Sequence, residues 1–318
     1  MKVSVDQTKI LHSSALKSVN LEVEGLPRVF KVEGDFFSDH TYIFETPSGF
    51  QILSKPWLVG GSLAEAARQC SSEFLRIAFL LCPEFQTTTY HQITEVIPLA
   101  GALYYQIGQA FQILFHESLK QCFIGAKRVI DEGSNEWITQ LSYLNFEALP
   151  DNPVILIGDT IATGGTIERI IRTTNNYAQN PRAIILLSLA GSGIGAYKLS
   201  KLEDEFGFPI YLFFSNALFG VAENGTDMPW AHPATLTSKK NSESILKIYG
   251  PQLARDWCSI WDWGERAKDP QKHLRLLLNT TNAQLENESY RESFPILKHI
   301  KKNTLKAQQK REKKLKIN

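Results

Sequence analysis

Residues 152–172 read NPVILIGDTIATGGTIERIIR and contain a complete strand–loop–helix unit. The apolar, β-branched run at residues 154–157 is typical of a buried strand in a parallel sheet. A loop of small residues follows, and Ile167, Ile170 and Ile171 then recur at helical spacing. This order predicts one βα unit of a mainly parallel α/β sheet.

The loop in this unit has the composition of an anion-binding site. The first amides of a helix lack intrahelical partners, and the helix dipole adds partial positive charge there. Gly164 and Gly165 allow close approach of a phosphate, while Thr163 and Thr166 add hydroxyl donors. Asp159 suits the hydroxyls of a ribose beside the phosphate. The structural alternative is an ordinary strand-to-helix turn with glycines for geometry, since glycine loops alone are weak indicators.

The run VILIGDTIATGGT at residues 154–166 resembles the loop of type I phosphoribosyltransferases that binds 5-phosphoribosyl 1-diphosphate (PRPP). Its ATGG core is most similar to the uracil phosphoribosyltransferase branch. The resemblance implies that Asp159 contacts the ribose hydroxyls. It assigns the 5-phosphate to Thr160, Ile161, Ala162, Thr163, Gly164, Gly165 and Thr166. The chain departs from the family at Gly158, where an acid is usual.

A second small-residue loop, PLAGA at residues 98–102, lies between a predicted strand and a predicted helix at residues 103–115. It resembles the diphosphate-binding loop of the same family, which implies that Ala100 and Gly101 bind diphosphate. The basic residue typical of that loop is missing here, so backbone amides would hold the diphosphate with one charge-assisted bond fewer.

A third segment, QCFIGAKR at residues 121–128, is predicted to be a strand that leads into a hairpin returning at residues 137–143. It resembles the mobile-loop strand of the uracil branch, which implies that Lys127 and Arg128 close over the diphosphate as catalytic residues. A mobile hairpin here would exclude water from a reactive, oxocarbenium-like centre. The alternative is that both side chains lie at a solvated strand end.

A fourth segment, AENGTDMPWAHP at residues 222–233, occupies the position of the family's base-recognition loop but lacks its Gly-Asp-Ala-Gly-Asp run. Its polar side chains can hydrogen-bond a planar ring, and the resemblance assigns base binding to Asn224, Gly225 and Asp227. A surface turn around a buried tryptophan is an equally good interpretation.

Composition indicates a globular protein. The 318 residues are 43% hydrophobic and 21% charged, with a net charge of +1, and no apolar run approaches the length of a membrane span. The N-terminus lacks the apolar core of a signal peptide, and the four cysteines are too widely spaced for a CxxC pair. We therefore expect a cytoplasmic protein with reduced cysteines and no membrane partner. The family implies a homodimer.

Three regions are predicted. Residues 1–60 are expected to form a β-rich accessory segment, with strands at 21–23, 29–32, 41–45 and 49–53 and a hairpin turn at residues 46–49. Residues 61–240 are expected to form a phosphoribosyltransferase-like domain with a doubly wound parallel sheet. Its first helix covers residues 62–81, with Ser62 and Glu65 as a capping box.

Residues 241–318 are expected to form a helical extension with a basic tail. Leu253, Trp257, Ile260 and Trp261 fall on one helical face, with Trp263 nearby. We interpret the stripe as a packing face, and a ligand cage is the alternative. Residues 298–316 contain nine Lys or Arg against one acid, Glu312. Because this tail lies beyond the family's usual end, its deletion is expected to leave PRPP binding intact. The chain outside the tail is net acidic, so nucleic-acid binding is not favoured.

The sequence favours Mg²⁺-dependent phosphoribosyl transfer from PRPP to a nitrogenous base, with uracil as the first acceptor. The missing basic residue and Gly158 favour an alternative, a PRPP- or nucleotide-sensing protein that kept the fold and lost turnover. A third hypothesis makes the basic tail a nucleic-acid-binding element.

Overall fold

The computed structural model describes residues 6–130, 133, 137–257 and 263–315. In these ranges nine strands form one sheet in the order β1-β2-β3-β10-β8-β7-β4-β5-β6. The strands are β1 (Ala15–Val19), β2 (Arg28–Glu33), β3 (Thr41–Glu45), β4 (Ile93–Leu99), β5 (Lys120–Ile130), β6 (Trp137–Asn145), β7 (Val154–Gly158), β8 (Ala183–Ser188) and β10 (Ile210–Ser215). From β3 to β5 all neighbours pair in parallel, whereas β1, β2 and β6 join antiparallel at the edges.

Helices connect the strands and extend beyond them. They are α1 (Gln7–His12), α2 (Pro47–Ser54), α3 (Gly61–Leu81), α4 (Pro83–Thr87), α5 (Ile107–Phe115), α6 (Gly165–Tyr177), α7 (Gly193–Phe206), α8 (Lys239–Asp256), α9 (Trp263–Lys268), α10 (Pro270–Glu286) and α11 (Phe294–Leu315). Three 3₁₀ helices cover Tyr90–Gln92, Gly101–Tyr105 and Glu288–Ser293. Among the described helices, none combines the length and the hydropathy needed to cross a membrane.

The central strands are buried on both faces of the sheet. In β7, Val154 and Leu156 pack with α3 and α5, whereas Ile155 and Ile157 pack with α6 and α7. Successive side chains of a strand point to opposite faces, so a strand with helices on both sides must be apolar throughout. This explains why residues 154–157 show no polar alternation.

A third apolar cluster joins the C-terminal helices to the start of the chain. Its members come from α2, α8, α10, α11 and a small second sheet formed by β9 (Gly191–Ser192), β11 (Ala217–Phe219) and β12 (Leu236–Thr237). Leu53 of α2, Tyr249 of α8 and Leu277 of α10 are all buried in it. The helical extension therefore packs on the sheet domain over a continuous core.

Arg266 of α9 fixes this packing. Its guanidinium is fully buried and donates hydrogen bonds of 2.8 Å to the carbonyls of Ile52, Lys55 and Leu58. Burial lowers the pKa of Arg266 to about 9, which leaves the group charged at neutral pH. Two of the three carbonyls belong to the end of α2, where the helix dipole favours a cation.

Most of the predicted elements are confirmed, but the N-terminal part contains two errors. The expected strand at residues 49–53 is helix α2. Thr46 does not begin a hairpin turn. Its hydroxyl instead accepts a 2.8 Å hydrogen bond from the Gly49 amide and caps α2, with Pro47 at the first helical position. Residues 21–23 do not form the expected strand, and the first strand of the sheet is β1, which ends at Val19.

Two helix starts also differ from expectation. The cap residue of α3 is Gly60, and no side chain caps this helix, so the predicted capping box of Ser62 is wrong. The single helix expected at residues 103–115 is two helices, because Gln106 adopts a left-handed conformation (φ 62°) between the 3₁₀ helix and α5. The expected loop at 131–136, apart from Gly133, and two members of the expected stripe, Ile260 and Trp261, lie outside the described residues.

Candidate active site

A cavity of about 1330 Å³ opens at the carboxyl ends of β4 and β7, where parallel α/β sheets bind ligands. The loop after β7 lines one side of it, and the loop after β4 lines another. The β5–β6 hairpin and the helices α9 and α10 complete the wall. The structure therefore brings the two predicted PRPP-binding loops to one site.

The loop from Thr160 to Thr166 lies entirely on this cavity. Gly164 adopts a left-handed conformation (φ 77°) as the cap residue of α6, and no side chain caps the helix start. A Cβ on Gly165 would have no described heavy atom within 4 Å, so the space before the helix is open. The first amides of α6 are thus presented to the cavity, which is the geometry of an anion site.

The neighbouring loop after β8 holds the loop from Thr160 to Thr166 in place. The Ile161 amide donates to the Ala190 carbonyl at 3.0 Å, and the Ser192 amide donates to the Ile161 carbonyl at 2.8 Å. The Ser192 hydroxyl also donates to the Ala162 carbonyl. A Cβ on Gly195 would lie 2.4 Å from the Ile161 side chain, so glycine is required for this contact. The loop is consequently shaped before any ligand arrives.

Asp159 follows β7 directly and lines the cavity. Its side chain accepts a 2.8 Å hydrogen bond from the Thr160 amide. Burial raises the pKa of the Asp159 carboxyl to about 7, and the hydrogen bond from Thr160 opposes that shift. Asp159 is half-buried at the cavity wall and is therefore an acceptor within reach of hydroxyl donors of a ligand, next to the loop from Thr160 to Thr166.

Tyr105 explains why residue 158 is glycine. A Cβ at Gly158 would lie 2.8 Å from Cδ1 of Tyr105 and 2.9 Å from Cδ1 of Ile107, too close for any side chain without a shift. The Tyr105 hydroxyl accepts a hydrogen bond from the Leu189 amide at 3.3 Å. The ring of Tyr105 thus fills the space where the resembled family carries an acid.

The loop after β4 places Ala100 and Gly101 on the cavity, as the sequence predicts. The peptide bond between Leu99 and Ala100 is cis. The Gly101 carbonyl accepts a 3.1 Å hydrogen bond from the Trp263 indole of α9, and the Trp263 ring makes an edge contact with Tyr105 at 5.4 Å. The C-terminal extension therefore contacts the loop after β4 directly.

The β5–β6 hairpin separates the two predicted basic residues. Arg128 lines the cavity and Lys127 does not, because neighbouring side chains of a strand point to opposite faces. Arg128 pairs across the hairpin with Thr139. The hydroxyls of Thr139 and Thr166 are 3.2 Å apart, so this part of the hairpin contacts the loop that precedes α6.

The expected base-recognition segment contributes less than predicted. Of the three predicted residues, only Asp227 lines the cavity. The Asn224 side chain is engaged in its own turn, since its oxygen accepts from the amides of Thr226 and Asp227 and its nitrogen donates to the Asp227 carboxylate. A Cβ on Gly225 would lie 3.9 Å from the Thr163 side chain, which places this turn beside the phosphate loop.

The largest omission from the sequence analysis is the wall supplied by α8, α9 and α10. Its residues on the cavity include Trp257, Trp263, Lys268, His273, Leu276, Leu277, Thr280 and Gln284. The His273 ring is buried beside the Pro56 carbonyl at 2.8 Å, and burial lowers its pKa to about 4, so it is neutral. The stripe that includes Trp257, with Trp263 nearby, was the available signal, and a packing face was favoured there over a ligand cage.

The described residues contain no cluster of three or more side chains able to ligate a metal. Asp159 lines the cavity beside the loop from Thr160 to Thr166. Mg²⁺ is commonly held by one or two carboxylates together with substrate phosphates. The donor set therefore fits a Mg²⁺ ion that arrives with a polyphosphate, and it does not form a resident metal cage.

No protein-family model matches the chain, and a search of curated proteins finds no match. Among solved structures, it is similar to an adenine phosphoribosyltransferase from Trypanosoma brucei in complex with AMP, pyrophosphate and ribose-5-phosphate (TM-score 0.34, 11% identity, 64% of this chain and 87% of that one). It is also similar to a hypoxanthine-guanine phosphoribosyltransferase from L. donovani (TM-score 0.33, 17% identity, 57% and 96%).

A hypothetical protein from Neisseria gonorrhoeae with bound ppGpp is a further match, with a TM-score of 0.30 and 8% identity. The alignment covers 40% of this chain and 66% of that protein. At these TM-scores the similarity is partial, and the function proposed below rests on the cavity and its loops.

Proposed function

We propose that the cavity binds PRPP and transfers its phosphoribosyl group to a nitrogenous base, releasing diphosphate. The observation that carries this proposal is the uncapped start of α6, which faces the same cavity as Asp159. An anion site and a carboxylate acceptor, adjacent on one βα loop, suit a sugar phosphate. The proposal includes the doubly wound arrangement of type I phosphoribosyltransferases and a homodimer.

In this proposal, the loop from Thr160 to Thr166 holds the 5-phosphate through its amides and hydroxyls. Asp159 accepts hydrogen bonds from the ribose hydroxyls. Both contacts come from one loop, which the Ser192 hydroxyl and the backbone hydrogen bonds of Ile161 already hold in shape. Little conformational entropy is therefore lost when the ligand binds. The sugar is thereby fixed with its anomeric carbon toward the loop that contains Ala100 and Gly101.

The reaction breaks the bond between the anomeric carbon and diphosphate and forms a bond to a nitrogen of the base. The pair of electrons leaves with diphosphate, and the base loses a proton to solvent. No protein nucleophile is needed, because positioning and electrostatic stabilisation supply the rate enhancement. A Mg²⁺ ion bound with PRPP would neutralise charge on the leaving group.

We propose uracil or a related ring as the acceptor. Support comes from the cavity wall, where Met228, Trp257 and Leu276 are apolar and Thr280 and Gln284 add polar groups. A few polar groups in a mainly apolar wall suit a planar base with polar edges. Asp227 is the residue of the base-recognition segment that remains a candidate contact.

The test is an assay with PRPP, Mg²⁺ and a panel of pyrimidine and purine bases, with diphosphate release as the readout. Calorimetric titration with PRPP alone gives a second, independent measurement of the site. We expect PRPP binding and diphosphate release with at least one base. Absence of PRPP binding would contradict the proposal.

A sensing protein is the second candidate, and two observations favour it. The diphosphate loop has no basic residue, and the Tyr105 ring fills the space beside Gly158 where a second acid would stand. A sensor would bind PRPP or a nucleotide without releasing diphosphate for any base. The same assay therefore distinguishes the two candidates.

A further inference from the structure

The lysines and arginines around the cavity are distributed unevenly. Within the described ranges, those that line it are Arg128, Arg169, Arg172, Lys198 and Lys268. Two of these belong to α6, and Lys198 pairs with Glu168 of α6 at 3.0 Å. Arg128 lies opposite Thr139, which contacts Thr166. Four cations therefore lie on the side of the cavity formed by α6 and its neighbours, and Lys268 is separate from them.

Lys268 lies on the opposite side, with the diphosphate loop. Trp263, at the other end of the same short helix, donates to the Gly101 carbonyl at 3.1 Å. The Lys268 ammonium nitrogen is 3.9 Å from the position of a Cβ on Gly264, the residue that follows Trp263. The ammonium therefore folds back along α9 toward the tryptophan that holds the loop.

The acids nearest in sequence to Lys268 are engaged elsewhere. Glu265 pairs with Lys272 at 2.9 Å, and the Asp269 side chain caps α10 by accepting from the Lys272 amide at 3.0 Å. Within the described part of the chain, no ion pair involves Lys268, whose side chain is exposed at the cavity. Its charge is thus available to a ligand.

We propose that Lys268 binds the diphosphate group of PRPP and replaces the basic residue that the loop after β4 lacks. This inference rests on the proposed function. A lysine suits the role because its ammonium offers three donors on a flexible stem and binds phosphate as a point charge. Negative charge grows on diphosphate as its bond to the sugar lengthens, so Lys268 stabilises the transition state more than bound PRPP.

The test compares Lys268→Met with Lys268→Arg and with the matched control Lys272→Met. Lys272 lies one turn further along the chain, carries the same charge and is paired with Glu265. Titration with inorganic diphosphate measures the subsite without any turnover. We expect Lys268→Met to weaken diphosphate binding about 10- to 100-fold, the scale of a lost charge-assisted hydrogen bond. Lys268→Arg and Lys272→Met should stay within about threefold of wild type.

A second readout is binding of ribose 5-phosphate, which has no diphosphate. Its affinity should be unchanged in Lys268→Met, because the 5-phosphate side of the cavity is intact. Equal diphosphate affinity in Lys268→Met and wild type would overturn the role of Lys268 while leaving the proposed function in place. A wild type that binds neither PRPP nor diphosphate would overturn both.

Discussion

Asp159 is the single carboxylate of the loop between β7 and α6, and its environment is unusual for an aspartate. Burial raises its pKa to about 7, so at neutral pH the free protein holds it partly protonated. Ribose hydroxyls can donate hydrogen bonds to the charged carboxylate, and these bonds offset the free-energy cost of its desolvation. The charged side chain consequently lowers the stability of the free protein, and a bound ligand supplies the hydrogen-bond donors that stabilise it.

We predict that Asp159→Asn weakens PRPP binding and leaves the fold intact. Loss of a hydrogen bond to a charged group costs about 1.5–3 kcal/mol, or roughly 10- to 150-fold in Kd. Calorimetric titration with PRPP and Mg²⁺ measures the change. Asp151→Asn, at an exposed position before β7, is the control and should bind as wild type does. Unchanged affinity in Asp159→Asn would remove this residue from the site.

The pH dependence of stability gives an independent prediction for the same group. The folded carboxyl of Asp159 keeps its proton up to about pH 7, whereas the unfolded one releases it near 3.8. Between these values the folded state binds more protons, so the free energy of unfolding falls as pH rises. Wild type should therefore lose stability relative to Asp159→Asn from pH 4 to pH 7 and remain constant above. Denaturant titrations at several pH values measure this, and parallel profiles would contradict it.

Some of the site was predictable at this scale, and some was not. The seven residues from Thr160 to Thr166 were found because glycines and threonines before a helix are a local signal. The reason for Gly158 was not accessible, because its neighbour Tyr105 is 53 residues earlier in the chain and meets it only in the folded sheet. Contacts between distant segments leave no local pattern.

At the scale of elements, the β5–β6 hairpin determines which basic residue serves the site. Arg128 faces the cavity near Thr166, and Lys127 faces away. We predict that Arg128→Ala weakens PRPP binding roughly 10-fold or more, as expected for a lost charge-assisted contact to phosphate. Lys127→Ala, the matched variant one residue away, should change PRPP affinity by less than about twofold. Calorimetric titration measures both.

The two variants also distinguish orientation from net charge. Each removes one positive charge from the same strand, so a general electrostatic effect would weaken both to a similar extent. Equal losses of PRPP affinity would contradict the assignment that Arg128 faces the cavity and Lys127 faces away. A loss of affinity in Lys127→Ala alone would show that Lys127 is the residue that faces the cavity.

Helices and strands were predicted well where the apolar pattern is continuous. They were predicted poorly where a capping residue determines whether a segment is a helix or a strand. Strands β4, β7, β8 and β10 follow from their apolar runs. Helix α2 was mistaken for a strand because Thr46-Pro-Ser-Gly suits both a hairpin turn and a capped helix start. Burial of residues 52–54 against the C-terminal helices selects the helix, and that packing is not visible in the segment alone.

At the scale of the whole molecule, the helical extension is part of the site. A division of the chain after residues 60 and 240 stays a prediction. Helices α9 and α10 nevertheless line the cavity, and Arg266 joins α9 to the end of α2. The sequence did not reveal this, because the resembled family offers no counterpart to these helices.

The basic tail is also more than an exposed run of charge. Ile300 and Thr304 of α11 are buried, and Ile300 belongs to the cluster shared with α10. We predict that ending the chain after Leu297 lowers the melting temperature, since loss of Ile300 burial alone costs about 1.5–3 kcal/mol. PRPP affinity should fall as well, because α10 loses its packing partner. This replaces the expectation that the tail is dispensable.

A shorter truncation is the control for this experiment. Removing residues 313–318 takes away three of the basic residues and leaves Ile300 and Thr304 in place. Thermal melts and PRPP titrations should then match wild type. A chain ending after Leu297 that melts at the wild-type temperature would show that the packing of α11 is not important for stability.

The hydrogen bond from Trp263 to the Gly101 carbonyl has a consequence for biosynthesis. A ribosome releases β4, β7 and α6 before it has made α9, so an emerging chain contains the loops after β4 and β7 first. Until α9 docks, the loop after β4 has neither Trp263 to hold it nor Lys268 beside it. Nascent and prematurely terminated chains that lack α9 would therefore have an incomplete cavity wall, and the candidate site is fully assembled only when translation is nearly complete.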